Sequence, residues 1–133
     1  IVIGTGSAME IVNAFIKANP KAKVAVIDKD EPGGICLTRG CIPSKILLYS
    51  AELVRAIEGA GGFGIRVDLK GTDFGKGMER MRGLIREDID AIRQGLSSSE
   101  NIDYYAATAE FIAPYIMKVG DTTITSKMIF LCT

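Results

Sequence analysis

Ile1-Val2-Ile3-Gly4-Thr5-Gly6-Ser7-Ala8-Met9, answered further on by Val24-Ala25-Val26-Ile27-Asp28, is the stretch that decides the fold. The first three residues read as a short apolar strand and Gly4 to Gly6 as a tight turn, after which Ala8, Ile11, Val12, Phe15 and Ile16 recur at helical spacing. Asn19-Pro20 stops that helix. Val24 to Ile27 is a continuous apolar run, the pattern of a strand buried on both faces of a parallel sheet. The unit is therefore β-α-β. A phosphate can approach the backbone only where side chains are absent, and the free amides and positive dipole end of a helix N-terminus then hold it. Gly4 and Gly6 suit that task, and Asp28, at the end of the second strand, can accept hydrogen bonds from ribose hydroxyls. Met9 stands where a dinucleotide fingerprint carries its third glycine. Taken alone, the turn is also compatible with a plain glycine corner in an α/β core.

The second stretch begins with Gly33-Gly34-Ile35-Cys36-Leu37-Thr38-Arg39-Gly40-Cys41-Ile42-Pro43-Ser44-Lys45. A helix is expected from about Cys41 through Ile57, with Ile46, Leu47, Leu53, Val54 and Ile57 at its apolar positions, ended by Gly59, Gly61, Gly62 and Gly64. After a short extended piece around Ile65 to Leu69, the residues Phe74, Met78, Met81, Ile85, Ile89, Ile92 and Leu96 trace one face of a long helix closed by Ser97-Ser98-Ser99. Its charges read as a solvated face, and its methionines as packing residues. The third stretch reads as strands: Ile102 to Ala107, Tyr115 to Val119, Thr122 to Thr125 and Met128 to Cys132. Cys132, inside an apolar strand, reads as structural.

Composition narrows the classes of partner. At 133 residues and 47% apolar content the chain can bury one domain-sized core. Sixteen basic residues balance sixteen acidic ones, so no basic surplus points to nucleic acid or an anionic membrane. No apolar run reaches the roughly 18 residues that span a bilayer, and no signal stretch opens the chain, so the cytoplasm is the simplest expectation. Ile1 lies within an apolar run that no initiator methionine precedes, and Ile129 to Thr133 ends inside another, so a piece of a longer polypeptide is expected.

Three cysteines and no histidine cannot complete a conventional four-ligand zinc site from Cys and His, so no metal is expected. A disulfide, a reactive dithiol or two buried apolar thiols remain. In an undistorted helix, residues five apart rise about 7.5 Å and turn about 140° past alignment, so Cys36 and Cys41 can meet only if the chain bends between Leu37 and Gly40. Gly40 permits the bend, and Pro43 is tolerated in the first turn that follows. Cys41 then lies near a helix N-terminus, where amides and dipole favour a thiolate, and Lys45 follows one turn later on the same face.

The run from Gly33 to Lys45 closely resembles the active-site signature of the pyridine nucleotide-disulfide oxidoreductases. Its Ile42-Pro43-Ser44-Lys45 ending is more similar to the lipoamide branch than to the glutathione branch. The resemblance extends through the glycine turn, Ala107-Thr108-Ala109-Glu110-Phe111 and Met128 to Thr133. It implies a Rossmann-like FAD-binding domain with a parallel sheet and a small antiparallel β-meander, incomplete here. Residues 1–133 would form its N-terminal part, with the NAD-binding, central and interface domains lying outside the chain. It implies FAD-dependent oxidation of dihydrolipoamide with NAD, or NADP, through a Cys36-Cys41 disulfide, in a homodimer served by a lipoamide-bearing acyltransferase or another disulfide substrate. Gly4, Gly6 and Ser7 would face the FAD pyrophosphate, Asp28 the adenosine ribose with Lys29 beside it, and Gly34 and Ile35 would approach through backbone. Cys41 would be the thiolate beside the flavin, Cys36 the outer exchange thiol, and Lys45 would sit near the hydride-accepting nitrogen. Ala107, Thr108 and Ala109 would touch adenine through main chain.

The chain departs from the family pattern at Met9, Asp28, Ile35, Thr38 and Cys132, in place of glycine or alanine, glutamate, threonine, asparagine and alanine. Mercuric and glutathione reductases are the alternatives within the family, and a non-catalytic nucleotide-binding module with a structural disulfide is the alternative outside it. The family's thiol chemistry uses a histidine base from a partner subunit, and this sequence has no histidine. The 133 residues expressed alone are therefore expected neither to couple reduced lipoamide to NAD reduction nor to retain FAD tightly. Appreciable turnover in a spectrophotometric NADH assay would refute that expectation.

Overall fold

The computed structural model describes all residues, 1–133. In chain order it contains β1 (Val2–Ile3), α1 (Ala8–Ala18), β2 (Val24–Ile27), α2 (Gly34–Arg39), α3 (Cys41–Gly59), a 3-10 turn (Ala60–Phe63) and α4 (Phe74–Ser98). Five strands follow: β3 (Ile102–Tyr105), β4 (Ala109–Ala113), β5 (Ile116–Val119), β6 (Thr122–Thr125) and β7 (Phe130–Leu131). Four strands form a parallel sheet in the order β3-β2-β1-β7, and β4-β5-β6 form a separate antiparallel meander. The expected architecture of parallel sheet plus small meander is therefore the one observed.

Successive side chains on a strand face opposite ways, and the packing follows that period. Val2, Val24 and Val26 join Ala8 and Val12 of α1 and Leu96 of α4 in one core, with Ile102 and Tyr104 packed against it. Ile27 turns to the other face, where Met117 and Val119 of the meander cover it together with Ile3 and Tyr105. The central strands are thus buried on both sides, as their unbroken apolar run requires; Val26 and Ile27 are fully enclosed. A third cluster, Leu37, Met81, Ile85 and Ile89, joins α2 to α4, with Ile42, Ile46 and Leu47 of α3 against it. Met9 packs on the first core, so the side chain in place of the third glycine is absorbed at the helix–sheet junction.

Several local expectations change. The segment that carries Cys36, before the expected helix from Cys41, is itself a short helix over Gly34–Arg39. Residues Ile65 to Leu69 form no strand, and the apolar side chains of Ile65, Val67 and Leu69 stay exposed. Phe74, on the expected apolar stripe of α4, is exposed because it opens the helix beyond its packed region, just after the Asp73 N-cap whose carboxylate accepts from the Lys76 amide. Leu53 of α3 is likewise exposed, since α3 touches the core only through its first two turns. β4 escaped the strand pattern; its exposed Phe111 and Ile112 adjoin a register shift in pairing with β5. The last strand shrinks to Phe130–Leu131.

Truncating Ile27 to alanine removes a side chain enclosed between both layers and is expected to cost about 3 kcal/mol. Ile112→Ala, at a side chain 53% exposed, should change stability by less than about 0.5 kcal/mol. Urea denaturation midpoints of the two variants measure the contrast.

Candidate functional site

Backbone contacts assemble the site before any side chain does. Gly4 follows β1 with φ +108°, a conformation that L side chains rarely adopt, and a Cβ there would lie 2.4 Å from the carbonyl oxygen of Cys132. Its amide donates to the Ile27 carbonyl at 2.8 Å, tying the turn to the end of β2. Gly34, with φ +71°, presses onto the turn: a Cβ at Gly34 would lie 2.7 Å from the Gly6 Cα. The start of the cysteine-bearing helix thus touches the glycine turn through main chain alone.

These segments wall a cleft of about 640 Å³. Gly4, Gly6 and Ser7 line it at the start of α1, Asp28 and Lys29 at the end of β2, and Gly34, Ile35 and Cys36 on the cysteine side. Ala107, Thr108 and Ala109, between β3 and β4, close a further wall. The amides of Gly6, Ser7 and Ala8 make no hydrogen bond within the chain, so they remain available to an anion. Side-chain-free turns and free amides at a helix start fit the pyrophosphate of a dinucleotide. Cys41 and Lys45 do not line this cleft.

The two cysteines meet where α2 gives way to α3. Gly40 sits at the break with φ −128° and ψ −116°, and a Cβ there would lie 2.8 Å from the Ile35 carbonyl oxygen. Glycine is needed at the bend because of this close approach rather than because of a left-handed φ. The Gly40 carbonyl then accepts from the Ser44 amide and hydroxyl, at 3.3 and 2.8 Å, which starts α3. Cys36 and Cys41 are exposed thiols, which removes the reading of both as buried apolar side chains; Cys132 is half-buried. A hydrogen bond to the Cys41 side chain pushes the Cys36 thiol above its ordinary range, helped by partial desolvation and the charge of Cys41. The Cys41 backbone and the Lys45 ammonium oppose that rise more weakly. Of the pair, Cys36 is thus the thiol held more firmly to its proton. The Thr38 hydroxyl donates back to the Gly34 carbonyl at 3.0 Å within α2.

Asp28 is more engaged than its sequence position suggests. Its Oδ2 accepts from the Thr5 amide at 2.9 Å and the Thr5 hydroxyl at 2.5 Å, and its Oδ1 accepts from the Asp30 amide at 3.0 Å. The Thr5 Oγ1 in turn accepts from the Gly33 amide at 3.0 Å. Thr5 is the one polar side chain that the fold buries. Sequence reasoning passed over it because it occupies the free position between two motif glycines. A hydroxyl there, 23 residues before an acid that ends the next strand, was the available signal.

No family model matches the chain. It is 36% identical over 126 residues to the dihydrolipoyl dehydrogenase of Chlamydia pneumoniae, covering 93% of this chain and 27% of that protein. The Bacillus subtilis dihydrolipoyl dehydrogenase is 33% identical over 124 residues, covering 93% and 26%. Among solved structures, the HOCl-induced flavoprotein disulfide reductase RclA from Escherichia coli superposes with a TM-score of 0.77 at 27% identity, covering 99% of this chain and 27% of that one. The chain spans about a quarter of the length of these relatives. With a glycine turn seated against a helix-borne cysteine pair, and with that likeness along nearly its whole length, the chain belongs to the pyridine nucleotide-disulfide oxidoreductases.

Proposed function

We propose that this chain provides the flavin-cradling and dithiol part of a FAD-dependent disulfide oxidoreductase that oxidises dihydrolipoamide with NAD. The observation that carries the reading is the contact of Gly34 on Gly6, because it sets the nucleotide cradle and the cysteine helix against one another with no side chain between them. The amides around Gly6 and Ser7 hold the pyrophosphate, Asp28 the ribose and Lys29 its flank, while Gly34, Ile35 and the main chain of Ala107 to Ala109 complete the walls. Bound FAD supplies the two-electron acceptor between the dithiol and the nicotinamide.

The chain's own chemistry is thiol–disulfide exchange. From the oxidised pair, a substrate thiolate attacks Cys36, the S–S bond to Cys41 breaks, and a mixed disulfide forms. The second substrate thiol then displaces Cys36, so the substrate leaves as a disulfide and both cysteines gain the electrons as thiols. The upward push that Cys41 gives the Cys36 thiol supports this division of labour, and Lys45, one turn along α3, adds positive potential beside the pair. Proton removal needs a base that this histidine-free sequence does not hold, so turnover draws on further segments or a partner subunit of a homodimer. A lipoamide-bearing acyltransferase is the partner of this reading.

In the intact enzyme, a flavin absorbance band with a long-wavelength shoulder on two-electron reduction, together with NAD reduction by dihydrolipoamide in preference to glutathione, is the expected result. A protein without a flavin band would overturn the reading. Gly34→Ala should loosen the flavin, since the left-handed backbone alone costs an L residue about 1–2 kcal/mol and the added Cβ meets Gly6. Ultrafiltration of the released cofactor measures that loss. Cys41→Ala removes the hydrogen bond and charge that hold the Cys36 proton, so the pH midpoint for alkylation of Cys36 should fall. An unchanged or higher midpoint would contradict the assigned polarity of the pair.

A further inference from the structure

Thr5 touches neither cysteine, yet it joins three of the segments that build the cleft. Its hydroxyl donates to Asp28 Oδ2 after β2 and accepts from the Gly33 amide just before α2, while its own amide also donates to Asp28. A carboxylate offers about four acceptor sites, and Thr5 and Asp30 already occupy three of them on Asp28. A ribose diol brings two donors. One can use the vacant site; the other must take the site that the Thr5 hydroxyl fills. A hydroxyl that gives up its acceptor rotates, and the Gly33 amide bonded to the same oxygen loses its aligned partner. Gly33 adjoins Gly34, the first residue of α2, and Cys36 follows two residues later.

We propose that Thr5 is a positioning residue that couples nucleotide occupancy at Asp28 to the seating of the cysteine helix, so that ribose binding loosens the Gly33 tie and makes Cys36 more reactive. The inference rests on the nucleotide-binding reading above. Coupling of this kind is reciprocal, so the state of the cysteine helix also alters affinity for the nucleotide.

The test uses the intact protein, freed of bound nucleotide and with its cysteine pair reduced, with ADP as the probe and iodoacetamide alkylation of Cys36 followed by peptide mass spectrometry. Saturating ADP should raise the alkylation rate about fivefold, the factor one neutral hydrogen bond supplies. Thr5→Ser, which keeps the hydroxyl, should show the same response. Thr5→Val, which keeps the shape, should be fast already and change less than about twofold with ADP, the tie being absent. An undiminished ADP response in Thr5→Val, or its loss in Thr5→Ser, would overturn the coupling while leaving nucleotide binding intact. Failure of the wild-type protein to bind ADP by calorimetry would overturn the nucleotide reading and the coupling with it. Hydrogen exchange at the Gly33 amide of the wild-type protein decides the matter without a variant: protection should fall on ADP binding, and unchanged protection refutes the proposal.

Discussion

Backbone meeting backbone is the constraint on which this structure depends. At Gly4 against the Cys132 carbonyl and at Gly34 against Gly6, main chains approach more closely than any side chain would allow. The first contact sets the turn against the segment following β7, and the second sets the cysteine helix against the turn. Two sequence motifs 28 residues apart at Gly6 and Gly34 thereby become one wall of a cleft. Hydrogen bonds from Gly4 to Ile27 and from Asp28 to Tyr105 hold the neighbouring strand ends in register with it.

The two-faced sheet is what makes so short a β1 sufficient. Only Val2 and Ile3 are strand residues, but β1 lies between β2 and β7 and its side chains enter different cores. Burial on both faces, about 25 cal/mol for each Å² of apolar surface withdrawn from water, supplies the rigidity that strand length does not. The exposed ion pair between Arg39 and Asp30 adds little by comparison, since both side chains are more than half exposed.

Much of this was legible in the order of residues. The β-α-β opening follows from apolar periodicity broken by glycine and proline, and the bend between the cysteines follows from helix geometry, since a five-residue separation cannot close without one. The packed part of α4 was visible as a heptad-like stripe from Met78 to Leu96. What stayed hidden depended on distant partners. β4 carries exposed Phe111 and Ile112 beside a register shift, so neither alternation nor a continuous apolar run marks it. Ile65 to Leu69 shows a strand-like composition but finds no sheet edge. Thr5 escaped notice because a hydroxyl between two glycines gains its meaning only when Asp28 and Gly33 fold back onto it.

The six-residue α2 is too short to hold itself together, because helix nucleation is unfavourable and few of its backbone bonds are internal. Its order is borrowed through Leu37, buried against Met81, Ile85 and Ile89 of α4. A short helix held by one buried side chain belongs to the least stable part of a fold, and Cys36 lies within it. The placement of the two cysteines then depends in part on a helix that carries neither.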